Sequence, residues 1–521
     1  MIADTQKLYK KILQYAPCFF IILVALCLRF YDVESSLWLD EVYSLERSGI
    51  TGKIGSVSDL ITYVAHNDAH PPCYYVLLRL WASVSYHPVW LKLLSMLFGI
   101  GAIAFAYLIV AKVADHYRAS LCAITLACSY FLIHYSQNIR HYSLVNFLAI
   151  FSSWCIVQGV MTNKTRYFFI YAFATILGFY TYYYLAFLFA THGAILFFYG
   201  GIQQKLLYNI RTAKNTHSVF GNIYEQITHQ VNFARWVKSQ VVATVVFFPW
   251  LYYVLPLRLS LFAQVEVKER GSVTLANLYE LLQDFLMGET QLYVAQYIFV
   301  GILILGCITL LFSDKKYLWL YSVILLPTII TVFFPFKGHV FQSKHLIYLL
   351  PLLLCIINVC CLNIRILSIF LFALICTNLY MLHSESHKQK QPWNTAINEV
   401  YRDIERGDVL CFNPYYLEVP AMYYYKRQGT LQGKEIVPAF VYLTPQQNIP
   451  RRLQPYIYFS EQHLQRVSKR NLWLIEIANC HSTPRNHAFF IWCEKLFKRV
   501  EQRSYQGSFG TIIVRRYTPR K

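Results

Sequence analysis

Two polar stretches just after the first hydrophobic segment hold the residues best suited to chemistry. Leu37-Trp38-Leu39-Asp40-Glu41-Val42-Tyr43-Ser44 carries adjacent carboxylates, and Asn67-Asp68-Ala69-His70-Pro71-Pro72 adds a third carboxylate and an imidazole. Neighbouring side chains on a helix diverge by about 100°, so Asp40 and Glu41 do not work as one closely spaced pair. One of them can take the proton from an attacking hydroxyl, a role worth about 10²–10⁴ in rate, while the other makes a structural bond. The alternative is that Asp40 caps a helix over Glu41 to Arg47. For Asp68 and His70 the functional readings are a second acid–base group or a metal site. Against these stands a capped turn ahead of a helix that the two prolines start. These residues require no cofactor, and a divalent metal is left open.

Two further stretches offer positive charge. Tyr135-Ser136-Gln137-Asn138-Ile139-Arg140-His141-Tyr142-Ser143 is a polar break between apolar runs. Its Arg140 can grip a phosphate through paired charge-assisted hydrogen bonds, or anchor the chain among lipid headgroups. Lys337-Gly338-His339 and Gln342-Ser343-Lys344-His345 add two lysines that can reach the same phosphate, where leaving-group charge needs positive stabilisation. Taken singly, each lysine also suits an interfacial anchor.

Composition says what kind of framework must hold these groups. Hydrophobic residues make up 56% of the 521, charged residues 14%, and mean hydropathy is +0.37. Soluble proteins carry about 25% charge, so the chain is expected to be a polytopic α-helical membrane protein. The net charge of +20 sits largely in short loops and in the C-terminal residues, without a nucleic-acid-binding motif. Contact with lipid headgroups and control of topology account for it, and nucleic acid is excluded as a partner. Of fourteen cysteines, only Cys73, Cys411, Cys480 and Cys493 lie outside apolar runs. Their spacing indicates neither a disulfide framework nor a thiolate metal site.

Eleven apolar runs can span or nearly span a bilayer: 16–31, 90–113, 119–135, 142–161, 167–181, 183–202, 238–257, 293–312, 317–335, 345–362 and 366–383. The first follows Lys7, Lys10 and Lys11 but lacks a small-x-small cleavage site, so it reads as an uncleaved helix. The fifth and sixth are one stretch divided near Thr181. With the N-terminus cytoplasmic, the inner loops hold fifteen Lys and Arg and the outer loops nine, which is the orientation the positive-inside rule favours. Eleven spans then place the C-terminus, Asp40, Asp68, Arg140 and the 337–344 loop on one outer face.

The resulting organisation is a transmembrane catalytic domain over 1–383, with a first outer loop over 32–89, and a small extracytoplasmic α/β domain over 384–521. Within the loop, the apolar spacing around Leu60 to Val64 and Tyr74 to Trp81 predicts interfacial helices. A second outer loop, 258–292, has an amphipathic stretch from Leu275 to Met287, which suits an interfacial helix or a lid. In the C-terminal domain the patterns predict helices over Trp393 to Glu405, Pro420 to Tyr425 and His487 to Arg499. Strands are expected over Asp408 to Phe412, Asn471 to Ile477 and Gly510 to Arg516.

The set Leu39-Asp40-Glu41 with Ser44, Asp68-x-His70-Pro71-Pro72-x-Tyr74-Tyr75, and Ser136-Gln137-x-x-Arg140-x-Tyr142-Ser143-Leu144 resembles bacterial membrane glycosyltransferases of the GT-C fold. That group includes protein O-mannosyltransferases and lipid A aminoarabinose transferases. The match in order and spacing runs to about residue 200, and more loosely to the tenth run. The resemblance implies a glycosyltransferase of hexosyl or pentosyl type in a bacterial inner membrane. It would move a sugar from a polyprenyl-phosphate donor to a hydroxyl of a glycan, lipid or protein acceptor on the outer face. Asp40 would be the catalytic carboxylate with Glu41 as positioning partner, Asp68 and His70 would orient or contact the acceptor, and Arg140, Lys344 and Lys337 would bind the donor phosphate. Relatives often have Arg-Tyr where this chain has Lys344-His345, and some have Glu-Lys where it has Ala69-His70. A lipid or solute transporter is the competing class. It should place ionisable residues in mid-span, whereas here they gather at one rim.

Overall fold

The computed structural model describes residues 2–51, 54–197, 219–264, 275–288, 293–313, 322–333, 342–386, 391–405, 408–413, 417, 419–421, 423–424, 439–442, 469–478, 495–507 and 510–520. Contacts divide the chain into two units: Met1–Val33 with Gly55–Glu385, and Glu34–Ile54 with Ser386–Lys521. The segment bearing Asp40 and Glu41 is therefore grouped with the C-terminal residues, which its sequence position does not suggest.

The first unit is helical. It begins with α1 (Ile2–Phe30), followed after the excursion into the second unit by α3 (Val57–Asn67), α4 (Cys73–Ala82), α5 (Pro88–Val113), α6 (His116–Cys128), α7 (Tyr130–Ser136), α8 (Tyr142–Thr162) and α9 (Thr165–Phe179). Then come α10 (Leu185–Phe197), α11 (Val219–Gln264), α12 (Leu275–Met287), α13 (Tyr293–Leu311), α14 (Ser322–Phe333), a 3-10 turn at Ser343–His345, α15 (Leu349–Cys360) and α16 (Ile364–Ser386). Each of the eleven apolar runs carries one of these helices or the pair α6–α7. Among the described residues, four helices are long and apolar enough to cross a membrane: Pro88–Val113, Tyr142–Thr162, Val231–Leu257 and Ile364–Glu385. A fifth is added if α6 and α7, bent by 59°, form one span. The protein is an integral membrane protein, and among the described residues shorter apolar helices of 10–17 residues carry other runs, Thr165–Phe179, Leu185–Phe197 and Leu349–Cys360 among them. The stretch over 167–202 breaks at Tyr180–Tyr184, at the division expected near Thr181.

Local chemistry explains the helix ends that matter for the site. Ser56 and Asp59 cap α3 reciprocally, each side chain bonded to the other's backbone amide at 3.0 Å. Trp81 and Trp90 stack at 4.5 Å, and each indole N–H donates to the other's backbone carbonyl, fixing α4 to α5. The α6–α7 break falls at Ser129, whose extended backbone ends one helix while its hydroxyl accepts from the Leu132 amide to start the next. The Tyr130 amide at this break donates to Asn378 Oδ1 of α16.

The second unit contains α2 (Leu39–Arg47), α17 (Trp393–Asp403) and strands β1 (Val409–Asn413), β2 (Ala439–Tyr442), β3 (Leu472–Ile477), β4 (Phe497–Tyr505) and β5 (Ile512–Pro519). The sheet order is β2-β1-β3-β5-β4, parallel across β2, β1 and β3 and antiparallel beyond. β1 and β3 read as nearly continuous apolar runs, as strands buried on both faces do. Two expectations change here. The helix predicted over His487 to Arg499 is strand from Phe497 onward, where alternating exposure and pairing with β5 override local helical spacing; residues 487–494 lie outside those described. β2 was not anticipated, being only four residues long. The expected helix at Pro420 to Tyr425 is described in part, at 419–421 and 423–424.

One charge lies deep in this sheet. Glu476 of β3 is 0% exposed and paired with Arg515 of β5, whose Nε also donates to Gln502 at 2.9 Å. Burial pushes the Glu476 carboxyl up to about 7 despite the downward pull of Arg515. Replacing Arg515 with Met is expected to destabilise the sheet by about 3–5 kcal/mol, the usual cost of stranding a buried charge. The loss should be read as a lower unfolding midpoint of the full-length protein. Glu476 has a folded value above its unfolded one, so its stabilising contribution is complete below about 4.5 and fades as pH rises through about 7. The R515M defect should therefore be larger at pH 8 than at pH 5, and E476Q should rescue it.

Candidate functional site

In the second unit, α2 presents Asp40 and Glu41 in its first turn, where carboxylates favour the helix dipole. The helix begins one residue before Asp40, with Trp38 in the N-cap position. Asp40 is thus not the cap that the structural alternative required. Glu41 does the capping: 0% exposed, its Oε2 accepts from the Trp38 amide at 3.1 Å. Asp40 is partly exposed and lies on the same helical stripe as Tyr43 and Arg47, whose guanidinium sits 4.8 Å from the Tyr43 ring centroid. Val42, Leu45 and Glu46 are buried on the other faces.

The chain leading into α2 is held by side chains more than 350 residues away. The Leu37 amide donates to the Tyr424 hydroxyl at 2.7 Å and Ser36 Oγ to the same oxygen at 3.2 Å. The Leu39 amide donates to Gln391 Oε1 at 3.1 Å, which also accepts from the Trp393 indole at 2.9 Å. Burial pushes the Tyr424 hydroxyl upward, so it stays protonated. In Tyr424→Phe the buried Leu37 amide loses its acceptor. Hydrogen exchange of the α2 amides should then speed by about 10- to 100-fold, equivalent to the roughly 1–3 kcal/mol cost of an unmade buried bond.

In the first unit, the loop between α3 and α4 is tied down by Asp68, which is 6% exposed. Its Oδ1 accepts from the His70 amide and its Oδ2 from the Tyr75 hydroxyl, both at 2.8 Å. This is the geometry of the capped-turn alternative, and it sets His70 in place. The loop between α7 and α8 is fixed from two sides. Gln137 Nε2 donates to the carbonyls of Arg29 and Tyr31 at 3.0 and 2.6 Å, at the end of α1. Ser95 of α5 bonds both the Tyr74 hydroxyl, at 3.0 Å, and the Arg140 carbonyl, at 3.2 Å.

Arg140 is 7% exposed, with its guanidinium 5.8 Å from the Tyr142 ring centroid. His141 follows it, and its ring lies 4.2 Å from that of His70 and 5.2 Å from that of Tyr182. The Tyr182 hydroxyl shares a 2.8 Å hydrogen bond with His345 Nδ1, next to Lys344 in the 3-10 turn. Burial holds His141 well below the usual imidazole range, reinforced by His70, Arg140, His345 and Lys344. It brings His345 down to about 3, with His70, Lys344 and Arg140 adding to the effect. Tyr182 is pushed upward by burial and by neighbouring phenols. A guanidinium, an ammonium and three imidazoles are gathered here, groups whose N–H donors can meet the oxygens of an oxyanion such as phosphate.

The structure thus brings His70, Arg140 and Lys344 into one cluster, with Asp68 as the fastener of its loop. Asp40 and Glu41 belong to the second unit. Lys337 and the Val267 to Gly271 segment lie outside the described residues. Among the described residues no three His, Cys, Asp or Glu side chains are arranged to hold a metal ion. Sequence reasoning missed His141 and Tyr182. The first was signalled by its place beside Arg140 in a polar break, and the second by its place at the division of the 36-residue apolar stretch.

This arrangement can be set against known proteins. A family model described as dolichyl-phosphate-mannose-protein mannosyltransferase matches residues 69–211, which include His70, Arg140, His141 and Tyr182. The crystal structure of ArnT from Cupriavidus metallidurans in the apo state aligns with a TM-score of 0.55 at 10% identity, covering 95% of this chain and 97% of its own. The same protein bound to undecaprenyl phosphate gives 0.56 at 11% identity with the same coverage. The chain has the GT-C fold. At such identities the GT-C likeness concerns the path of the backbone over nearly the whole of both chains. The apo oligosaccharyltransferase of Archaeoglobus fulgidus aligns at 0.47 with 14% identity over 98% of this chain and 75% of its own, too weakly to bear on the fold. No curated protein matches the sequence.

Proposed function

We propose that the protein is a membrane glycosyltransferase that moves one hexose or pentose from a polyprenyl-phosphate donor to a hydroxyl on a glycan, lipid or protein. Transfer takes place on the outer face of a bacterial inner membrane, with the N-terminus cytoplasmic and the C-terminal residues outside. The observation that carries this reading is the buried cationic cluster around Arg140 on a GT-C framework. Such a cluster suits an anionic group at the end of an apolar carrier. ArnT from C. metallidurans has been crystallised with undecaprenyl phosphate, which supports a polyprenyl carrier here.

Each residue then has a role. Arg140 and Lys344, joined by Lys337, neutralise the phosphate as the bond from the anomeric carbon to its oxygen breaks. Asp40 takes the proton from the acceptor hydroxyl as that oxygen attacks. Glu41 positions Asp40 by closing the first turn of α2, and Asp68 positions His70 beside the anion. Mass analysis of glycans, glycolipids and glycoproteins from cells with and without the gene tests the reading. Loss of one sugar from one acceptor class is expected; an unchanged set contradicts it.

A further inference from the structure

His141 is left without work by these roles. It is 1% exposed, and neither Nδ1 nor Nε2 has a hydrogen-bond partner among the described residues. Buried polar groups are nearly always paired, so an imidazole with two unmatched nitrogens calls for a missing partner. Its neighbours are imidazoles, phenols and two cations. From the α3–α4 loop comes His70, and from α4 comes Tyr74, with ring centroids 4.2 and 6.4 Å away. Tyr142 of α8 and Tyr182 follow at 4.7 and 5.2 Å. Arg140 precedes it in the chain, and Lys344 and His345 of the 3-10 turn act on it electrostatically. The Asp68 carboxylate of the His70 loop is engaged by the His70 amide and the Tyr75 hydroxyl.

We propose that His141 is a proton-loading ligand of the phosphate subsite, taking up one proton as the lipid phosphate gains its second negative charge and giving it back when the phosphate leaves. The inference rests on the lipid-phosphate reading above. In the donor the phosphate is a diester with one negative charge. The acceptor oxygen forms the new bond to the anomeric carbon, and the bond from that carbon to the phosphate oxygen breaks. Its electron pair stays on the phosphate, leaving a dianionic monoester, while the hydroxyl proton goes to Asp40. The added charge is matched by a solvent proton captured at His141, and both protons return to solvent after release. Without an anion, burial and the surrounding cations keep His141 neutral. A dianion reverses the sign of that field, and a protonated ring has two N–H donors for phosphate oxygens.

Calorimetric titration of the full-length protein in detergent with undecaprenyl phosphate, in two buffers of different ionisation enthalpy, counts protons taken up on binding. At pH 8 a phosphate monoester, with a second pKa of about 6, is already dianionic, so uptake reports the protein. About one proton per lipid is expected for the wild type by linkage. Near zero is expected for His141→Phe, which keeps a ring for stacking, and for His141→Gln, each titrated to saturation of its weaker lipid binding and with folding checked by thermal melting. Equal uptake in all three proteins would overturn the role of His141 and leave the lipid-phosphate reading standing. No binding of undecaprenyl phosphate to the wild type would overturn that reading, and this inference with it. Inorganic phosphate, titrated in parallel, should bind far more weakly; equal affinity and uptake would assign the subsite to free phosphate and contradict the proposal.

Discussion

Asp40→Asn is expected to slow sugar transfer by about 10²–10⁴-fold, the range that a positioned general base contributes, while the protein folds and inserts normally. Asparagine has nearly the same shape but cannot accept the acceptor's proton at neutral pH. The structural cost is small because Asp40 is partly exposed and does not cap α2. Weakened interaction with the helix dipole accounts for at most about 0.3–1 kcal/mol. Glu41→Gln is the informative contrast. Its carboxylate caps α2 through the Trp38 amide, and glutamine can make the same bond. Transfer by E41Q should therefore stay well above that by D40N. Initial rates at saturating donor and acceptor, with circular dichroism of both variants, check the pair of outcomes.

Arg140→Gln should lower transfer by about 10²–10³-fold, the typical loss when one preorganised charge-stabilising group is removed. Arg140 is buried, its carbonyl is bonded by Ser95, and His141 and Lys344 lie in the same cationic cluster. The guanidinium is thus buried beside His141 instead of extending freely among headgroups. Lysine at this position should restore part of the rate, since it returns the charge without the forked geometry. A headgroup anchor would behave differently, with altered insertion and unchanged kinetics. Rates measured against donor concentration separate the two, because the phosphate role predicts loss in both kcat and kcat/KM.

Much of the helical framework was legible because hydropathy and helical spacing are local signals. The amphipathic stretch from Leu275 to Met287 coincides with α12, and Pro71-Pro72 stand directly before α4. What hydropathy does not encode is how an apolar run is divided between helix and turn, as at the 59° bend between α6 and α7. Local patterns also failed at β4, where Phe497 to Arg499 has helical spacing but pairs with β5. At the candidate site, Arg140 and Lys344 stood out as cations in polar breaks. Their assembly with His141, Tyr182 and His345 depends on contacts between segments up to 163 residues apart in the chain, which no local pattern carries. The same limit hid the hold of Tyr424 and Gln391 on the chain before α2, which joins positions 37 and 39 to 424 and 391.

Sugar transfer from a lipid phosphate is measured most directly with the full-length protein in vesicles carrying undecaprenyl-phosphate-linked sugar, with a glycan, lipid or protein acceptor presented outside. Release of undecaprenyl phosphate and appearance of the glycosylated acceptor are followed together by mass spectrometry. Equal amounts of the two products are expected from the wild type, and loss of both with Asp40→Asn. Movement of the lipid-linked sugar across the bilayer without cleavage, or full cleavage by the Asp40→Asn variant, would contradict it.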